Sequence, residues 1–275
     1  VVADRCSGAD GGAMADARAT DARLVHALRS SGSVFAEEEL AELGRAATDA
    51  AALERLVERR AAGEPIEQIV GTAAFAELRV VVRPGVFVPR RRTVLLATIV
   101  ADALRALPPG ARLLDLGCGS GAIAALAMHR VPGIEVVAID ADPVAVACAR
   151  ENLPTALVLR ADSPDVLDAS AAFDVIAANL PYVPARELAH MPHDARDHEP
   201  LLALDGGTDG LAPLRALAPA IAGRLAPGGI VAIELAPEQV DVAAGILQRA
   251  GLGAVEQRDD EELGATVLVA VRAAR

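Results

Sequence analysis

The chain of 275 residues has no Trp, no Lys, one Tyr and four Phe. Each absence excludes something. Proteins that grip single-stranded nucleic acid stack successive bases on aromatic rings, and so few rings cannot furnish such a platform. With no Lys, all 26 basic residues are Arg; they face 38 acids, for a net charge of −12. A nucleic-acid binder ordinarily carries a basic face. Here the one tight basic run is Arg90-Arg91-Arg92. No stable nucleic-acid binding is expected, and the acidic balance points to a small-molecule or protein partner. The three Cys (Cys6, Cys118, Cys148) are odd in number and lack metal-ligand spacing. No disulfide framework and no metal site is expected, and a reducing cytoplasm fits. No apolar run reaches the ~18 residues of a membrane span. The polar start, with Asp4, Arg5 and Asp10, is not that of a signal peptide. Residues 1–13, ahead of Met14, read as a disordered tail or the product of an upstream start.

What is present is a hydrophobic content of 53%, with Ala about a fifth of the chain, enough to bury a sizeable core. Residues 14–71 form a helical block. Leu24, Val25 and Leu28, then Leu40, Leu43 and Ala47, follow helical spacing. Gly32-Ser33 and Gly44 punctuate the block, and Gly63-Glu64-Pro65 ends its run of helices. Residues 72–91 predict a hairpin linker, with Leu78–Val82 and Val86–Val88 as its arms around Arg83-Pro84-Gly85. A helix over about 92–106 follows. Residues 92–275 make the main domain. From residue 111 strands are predicted at 111–116, 134–139, 156–160, 173–178, 229–235, 254–259 and 266–272. Helices lie between them at 121–130, 142–152, 210–226 and 237–250. Such alternation predicts an α/β fold with a mostly parallel sheet covered on both faces.

The first of these strands runs into Asp115-Leu116-Gly117-Cys118-Gly119-Ser120-Gly121 and then a helix. Gly117 and Gly119 permit a tight turn that a ligand can approach closely, and Gly121 permits close packing where the helix starts. Asp140 ends the next strand and can accept both hydroxyls of a ribose. Asp162, in Ala161-Asp162-Ser163, follows the third strand. An acid before the first Gly suits a cationic amino-acid group better than a pyrophosphate. The Asp-x-Gly-x-Gly-x-Gly spelling resembles motif I of the class I S-adenosylmethionine (SAM) methyltransferases. That resemblance implies a Rossmann-like sheet of seven strands with the last antiparallel, and SAM as cofactor. It makes Asp115, Gly117, Cys118, Gly119, Ser120, Gly121, Asp140, Asp162, Ser163 and Asn179 the candidate cofactor residues.

The fourth strand ends in Asn179-Leu180-Pro181-Tyr182, which holds the only Tyr of the chain. The stretch resembles the (Asn/Asp/Ser)-Pro-Pro-(Tyr/Phe) motif of methyltransferases that act on planar nitrogen. The resemblance implies that the Asn side-chain oxygen and the next main-chain carbonyl accept the two hydrogens of an NH2 group, with the aromatic ring packed on it. Asn179, Leu180, Pro181 and Tyr182 are therefore the candidate catalytic residues. Leu180 departs from the usual Pro, but its expected contact is made by the main chain. His190, His193 and His198 read as loop residues, since no Cys or acid completes a zinc set.

Nearly the whole chain, from about residue 20 to 272, resembles the HemK/PrmC family of protein-(glutamine-N5) methyltransferases. The resemblance rests on Pro65-Ile66-Glu67-Gln68-Ile69-Val70-Gly71, Phe75 and Phe87-Val88-Pro89-Arg90. It continues through the two motifs above, Val183-Pro184, Glu199-Pro200-Leu201-Leu202-Ala203-Leu204-Asp205-Gly206-Gly207 and Asp209-Gly210-Leu211. It implies methyl transfer to a protein glutamine, an N-terminal bundle that helps dock the protein, and a peptide chain release factor with a Gly-Gly-Gln loop as candidate substrate. Where the family reads Pro-Arg-Pro-Glu-Thr-Glu, this chain has Pro89-Arg90-Arg91-Arg92-Thr93-Val94. That departure bears on the substrate rather than on methyl transfer. Two other readings stand beside it: an amino methyltransferase of nucleic acid (adenine N6 or guanine N2), and a SAM-binding partner protein without catalysis.

Overall fold

The computed structural model describes residues 9–168, 170–191 and 193–274. The chain divides into two compact units at Val70/Gly71. The first holds helices α1 (Ala9–Ser30), α2 (Ala36–Ala46), α3 (Ala50–Ala61) and α4 (Ile66–Val70). Its core gathers Leu24, Leu28, Ala36, Leu43, Val57 and Ile69; of the positions read from the spacing, Leu24, Leu28 and Leu43 are in it, Val25 and Leu40 pack against it, and Ala47 does neither. Three local expectations differ. The run of helices does not end at Gly63-Glu64-Pro65, since α4 starts at the next residue. Gly44 lies within α2, since a Gly costs an established helix only ~1 kcal/mol. Helix α1 starts at Ala9, inside the stretch expected as a tail, while residues 1–8 lie outside the described residues.

The second unit opens with the hairpin β1 (Thr72–Phe75) and β2 (Leu78–Val81). The expected second arm, Val86–Val88, is not a strand. Pairing instead runs backwards from β2, around Ala76 at φ 49°. Val86 N–H closes a turn on the Arg83 carbonyl, and Val88 N–H donates to Glu199. With those donors taken, the segment has no ladder to join.

Beyond it come α5 (Thr93–Arg105), β3 (Arg112–Leu116), α6 (Ala122–Arg130), β4 (Glu135–Asp140), α7 (Pro143–Asn152), β5 (Leu157–Arg160) and β6 (Phe173–Ala178). Then follow α8 (His193–His198), α9 (Ala212–Arg224), β7 (Leu225–Glu234), α10 (Val240–Arg249), β8 (Leu252–Asp260) and β9 (Ala265–Arg272). Seven strands form one sheet in the order β5-β4-β3-β6-β7-β9-β8. All pairings are parallel except those of β9, which runs antiparallel to both neighbours. This is the predicted class I arrangement with the last strand reversed.

Alternate strand residues face opposite sides. Leu113, Ala138, Val175 and Ala177 join the core under α5 and α6. Leu114, Ile139, Ile176 and Ala178 join the one under α9 and α10. Both faces being covered explains why these strands read as continuous apolar runs. The connection from β3 leads one way to β4, whereas β6 flanks β3 on the other side. The crevice at such a reversal, outside the carboxyl ends of the strands, is where ligands bind in open α/β sheets.

Candidate functional site

A cavity of about 310 Å³ opens at that place. Parallel register sets Leu116 beside both Ile139 and Ala178, so the Gly turn and Asn179 leave adjacent strands side by side. The wall includes Gly117, Cys118, Gly119, Ser120, Asp140 and Asp162 from the cofactor set, and Asn179, Leu180, Pro181 and Tyr182 from the acceptor set. The two groups singled out from separate parts of the sequence thus share one cavity.

The turn is held by main-chain bonds. Gly117 N–H and Cys118 N–H both donate to the Ile139 carbonyl at 2.8 and 3.0 Å. Gly119 N–H donates to Asp140 Oδ2 at 2.8 Å, and Asp142 N–H to Asp140 Oδ1 at 2.9 Å. Each Asp140 oxygen keeps a second lone-pair site for a ligand hydroxyl. Desolvation raises the Asp140 pKa despite these donors. Gly121 sits at φ 81°, where a Cβ would come within 2.8 Å of the Leu153 side chain. Its φ and the approach of α7 both require glycine. Burial also pushes the Cys118 thiol up, which makes it a packing group rather than a nucleophile.

Three members of the expected cofactor set stand outside the wall. Gly121 packs α6 against α7. Ser163 caps a short turn, accepting from Asp165 N–H at 3.2 Å. Asp115 lies beneath the turn, fully buried, because its place in β3 aims it at the start of α6. Its Oδ2 accepts from Ala124 N–H at 3.2 Å, a favourable place for an anion. Its Oδ1 is buried and has no hydrogen-bond partner. Desolvation, with Asp140 nearby, pushes its pKa up to about 7.

On the acceptor side, Asn179 Nδ2 donates to Thr93 Oγ1 at 3.2 Å, and Thr93 is itself buried. With the NH2 end held there, the amide oxygen remains as an acceptor. Leu180 is 7% exposed and leans over the turn, its Cδ2 3.5 Å from where a Gly117 Cβ would be. Gln239 Nε2 donates to the main-chain carbonyls of Tyr182 (2.9 Å) and Asp209 (3.1 Å). Gly210 fits so tightly beneath that a Cβ would lie 2.2 Å from the Tyr182 oxygen. The Tyr182 hydroxyl donates to Glu234 Oε1 at 3.0 Å, and burial with the Glu234 charge pushes its pKa up.

Sequence reasoning missed Thr93, Asn152, Glu199, Glu234 and Gln239. Asn152 ties the hairpin to the Gly turn, donating to the carbonyls of Val81 (2.9 Å) and Ser120 (2.8 Å) and accepting from Val81 N–H. The basic run proves not to be a basic patch. Arg90 pairs with Glu199 at 2.6 Å, Arg91 with Glu262 at 3.3 Å and Arg92 with Glu234 at 3.3 Å. One signal was available for Glu234: like Asp140 and Asn179, it is a polar residue at the carboxyl end of a buried strand. Among the described residues no group of three or more His, Cys, Asp or Glu could hold a metal ion. No helix among them is long and apolar enough to cross a membrane.

Comparison with known proteins agrees with the geometry. The methyltransferase small domain model matches residues 77–194. Among solved structures, the Thermus thermophilus 16S rRNA N2 G1207 methyltransferase, in complex with AdoMet and guanosine, shares the fold. Its TM-score is 0.54 at 22% identity, over 73% of this chain and 49% of that one. The chain therefore spans about half the length of that protein. A release factor glutamine methyltransferase of Geobacter sulfurreducens is 38% identical over 204 residues, 73% of this chain and 71% of the relative. One of Caulobacter vibrioides is 36% identical over 258 residues, 90% of this chain and 86% of the relative. With a relative 36% identical over 90% of its length, the chain belongs to the release factor glutamine methyltransferase family.

Proposed function

We propose that the chain transfers the methyl group of SAM to the side-chain amide nitrogen of a glutamine, and that the glutamine belongs to a peptide chain release factor. The observation that carries this reading is the placement of Asn179. Its amide nitrogen is anchored on Thr93, and it stands beside the Gly turn on the adjacent strand.

The residues present fit SAM. The turn at Gly117 and Gly119 gives close approach to the main chain, Asp140 has lone pairs for the ribose hydroxyls, and Asp162 stands farther along the wall. The partnerless Oδ1 of Asp115 beneath supplies negative potential for a cationic ligand. When bound, SAM supplies an electrophilic methyl group on a sulfonium that leaves as a neutral thioether. The work of the chain is to aim the acceptor. An amide nitrogen is a poor nucleophile, because its lone pair is delocalised into the carbonyl. Two acceptors, the Asn179 side-chain oxygen and the Leu180 carbonyl, fix both N–H bonds and so the direction of attack. They also stabilise the positive charge that grows on nitrogen, and one of the two N–H protons then leaves to solvent to give the neutral N-methyl amide. Tyr182 packs against the planar amide.

The N-terminal helical unit is assigned to docking the protein substrate. Val34 and Phe35 support this, being exposed apolar side chains (84% and 66%) on that unit. A reducing cytoplasm as its compartment is supported by the free thiols of Cys118 and Cys148. The test is incubation of the protein with isotope-labelled SAM and release factor, with DNA and RNA as parallel acceptors, followed by peptide mass mapping. The expected result is one added methyl on a glutamine. Label in nucleic acid alone refutes the assignment, and SAM binding without any label favours a non-catalytic partner.

A further inference from the structure

The chain has one Tyr, and its hydroxyl donates to a buried carboxylate. Glu234 closes β7 with its side chain 2% exposed. Its Oε1 receives two donors, the Tyr182 hydroxyl at 3.0 Å and Arg92 Nε at 3.3 Å. The Arg92 guanidinium also sits over the Tyr182 ring, 5.7 Å from its centroid. The three side chains come from three elements, the start of α5, the loop after β6 and the end of β7. Arg92 and Tyr182 both line the cavity, and Glu234 stands behind them.

Burying this carboxylate is expensive. Its Oε2 has no hydrogen-bond partner, and an unsatisfied buried acceptor is destabilising, the more so when charged. Arg92 is 45% exposed on its side chain, so its charge compensates Glu234 only in part. A hydrophobic residue in this place would be cheaper. A costly buried polar group beside a ligand cavity calls for a reason, and the geometry provides one. A phenol ring has one torsion that swings it and one that spins it. The hydrogen bond to Glu234 stops the swing at the hydroxyl end, and Gln239 fixes the main chain at the other end. Arg92 takes one face of the ring, which leaves the other face for an acceptor.

We propose that Glu234, with Arg92 as its counter-charge, is a positioning residue that holds the Tyr182 ring in place for the acceptor. The inference rests on the reading of Tyr182 as part of the acceptor site.

The absence of Trp gives a direct readout. With a single Tyr, the intrinsic fluorescence of the protein comes mainly from Tyr182. A carboxylate that accepts from a phenol quenches its emission, because the excited phenol gives up its proton to it. Glu234→Gln is expected to brighten the folded protein about twofold and to lower kcat on the glutamine substrate about tenfold. KM for SAM should stay unchanged. Tyr182→Phe should lower kcat to a similar degree, and the double variant should be no slower than either single one, since both remove the same contact. Unchanged emission in folded Glu234→Gln, or losses that multiply in the double variant, would overturn the proposal. Should Glu234→Gln not fold, Arg92→Met carries the test: it keeps the length of the side chain and removes both the counter-charge and the donor to Glu234. Lower kcat with unaltered SAM affinity supports the proposal, and unaltered kcat overturns it. If the emission changes as expected while the wild-type protein methylates no glutamine, the pairing stands and the acceptor reading falls.

Discussion

Asp115→Asn tests the electrostatic design of the cofactor side. Asp115 is fully buried, with its carboxyl pushed up to about 7 from an ordinary 3.8. The unfolded chain gives up that proton near pH 4, whereas the folded chain keeps it to near pH 7. Between those limits the folded state binds more protons, so stability falls as pH rises and levels off above 7. A shift of about three units at ~1.4 kcal/mol each makes the total loss about 4 kcal/mol. The amide of the variant has no proton to lose. The stability of the variant relative to wild type is therefore expected to rise by about 4 kcal/mol between pH 4 and pH 7.5. Urea unfolding of both cofactor-free proteins across that range measures it, and other titrating groups cancel in the difference. A difference independent of pH would refute the reasoning. The same logic explains why so costly a carboxylate is present. A cationic ligand favours its charged form, so SAM binding should release a proton near pH 6, and affinity should rise with pH up to about 7. Calorimetry in two buffers of different ionisation enthalpy counts that proton. In Asp115→Asn the proton should vanish and the affinity should weaken; an unaltered proton count would show that Asp115 has no part in binding.

The other predictions concern the acceptor side. Gly210→Ala puts a Cβ 2.1 Å from Gln239 Nε2 and 2.2 Å from the Tyr182 carbonyl, at φ 79°. Strain and overpacking together should cost roughly 3 kcal/mol, lowering Tm by about 10 °C; a Tm unchanged in thermal unfolding would refute the packing argument. Asn179→Ala should bind SAM within about threefold of wild type and lose about a hundredfold or more in kcat; undiminished turnover would remove Asn179 from the reaction. Thr93→Val keeps the shape and loses the anchor of the Asn179 amide. It should lower kcat about tenfold, with Thr93→Ser restoring most of it; equal rates for Val and Ser would leave the hydroxyl without a role.

Legibility in the sequence followed the range of the interaction. The inner strands β3, β4, β6, β7 and β9 were readable because a strand buried in the sheet declares itself locally as an apolar run; the edge strands β5 and β8, largely exposed, were readable only from their place in the strand-helix alternation. The hairpin was misread because its register depends on which donors are free. Val88 N–H is claimed by Glu199, a residue 111 positions away, and no local pattern announces that. The same holds for Thr93 with Asn179, and for Asn152 with Val81 and Ser120. Side chains that organise the site through distant partners look ordinary in their own neighbourhood.

The two departures from the family pattern show how the site absorbs change. A Pro after the Asn would stiffen the turn; Leu180 immobilises it by burial instead, its side chain leaning on Gly117. Three consecutive Arg would repel one another and make a basic patch, but each has its own carboxylate, in Glu199, Glu262 and Glu234. Those acids stand far along the chain, so the compensation is visible only in three dimensions. Its consequence is specific. Arg91–Glu262 is exposed on both sides and contributes little. Arg90–Glu199 and Arg92–Glu234 each bury the acid and leave the Arg at the cavity wall. The run that reads as a divergence in substrate choice is thus partly an internal scaffold. What it presents at the cavity wall is two Arg each paired with a buried acid rather than an unpaired basic patch, and on the proposed acceptor reading this suits the wall to an uncharged amide.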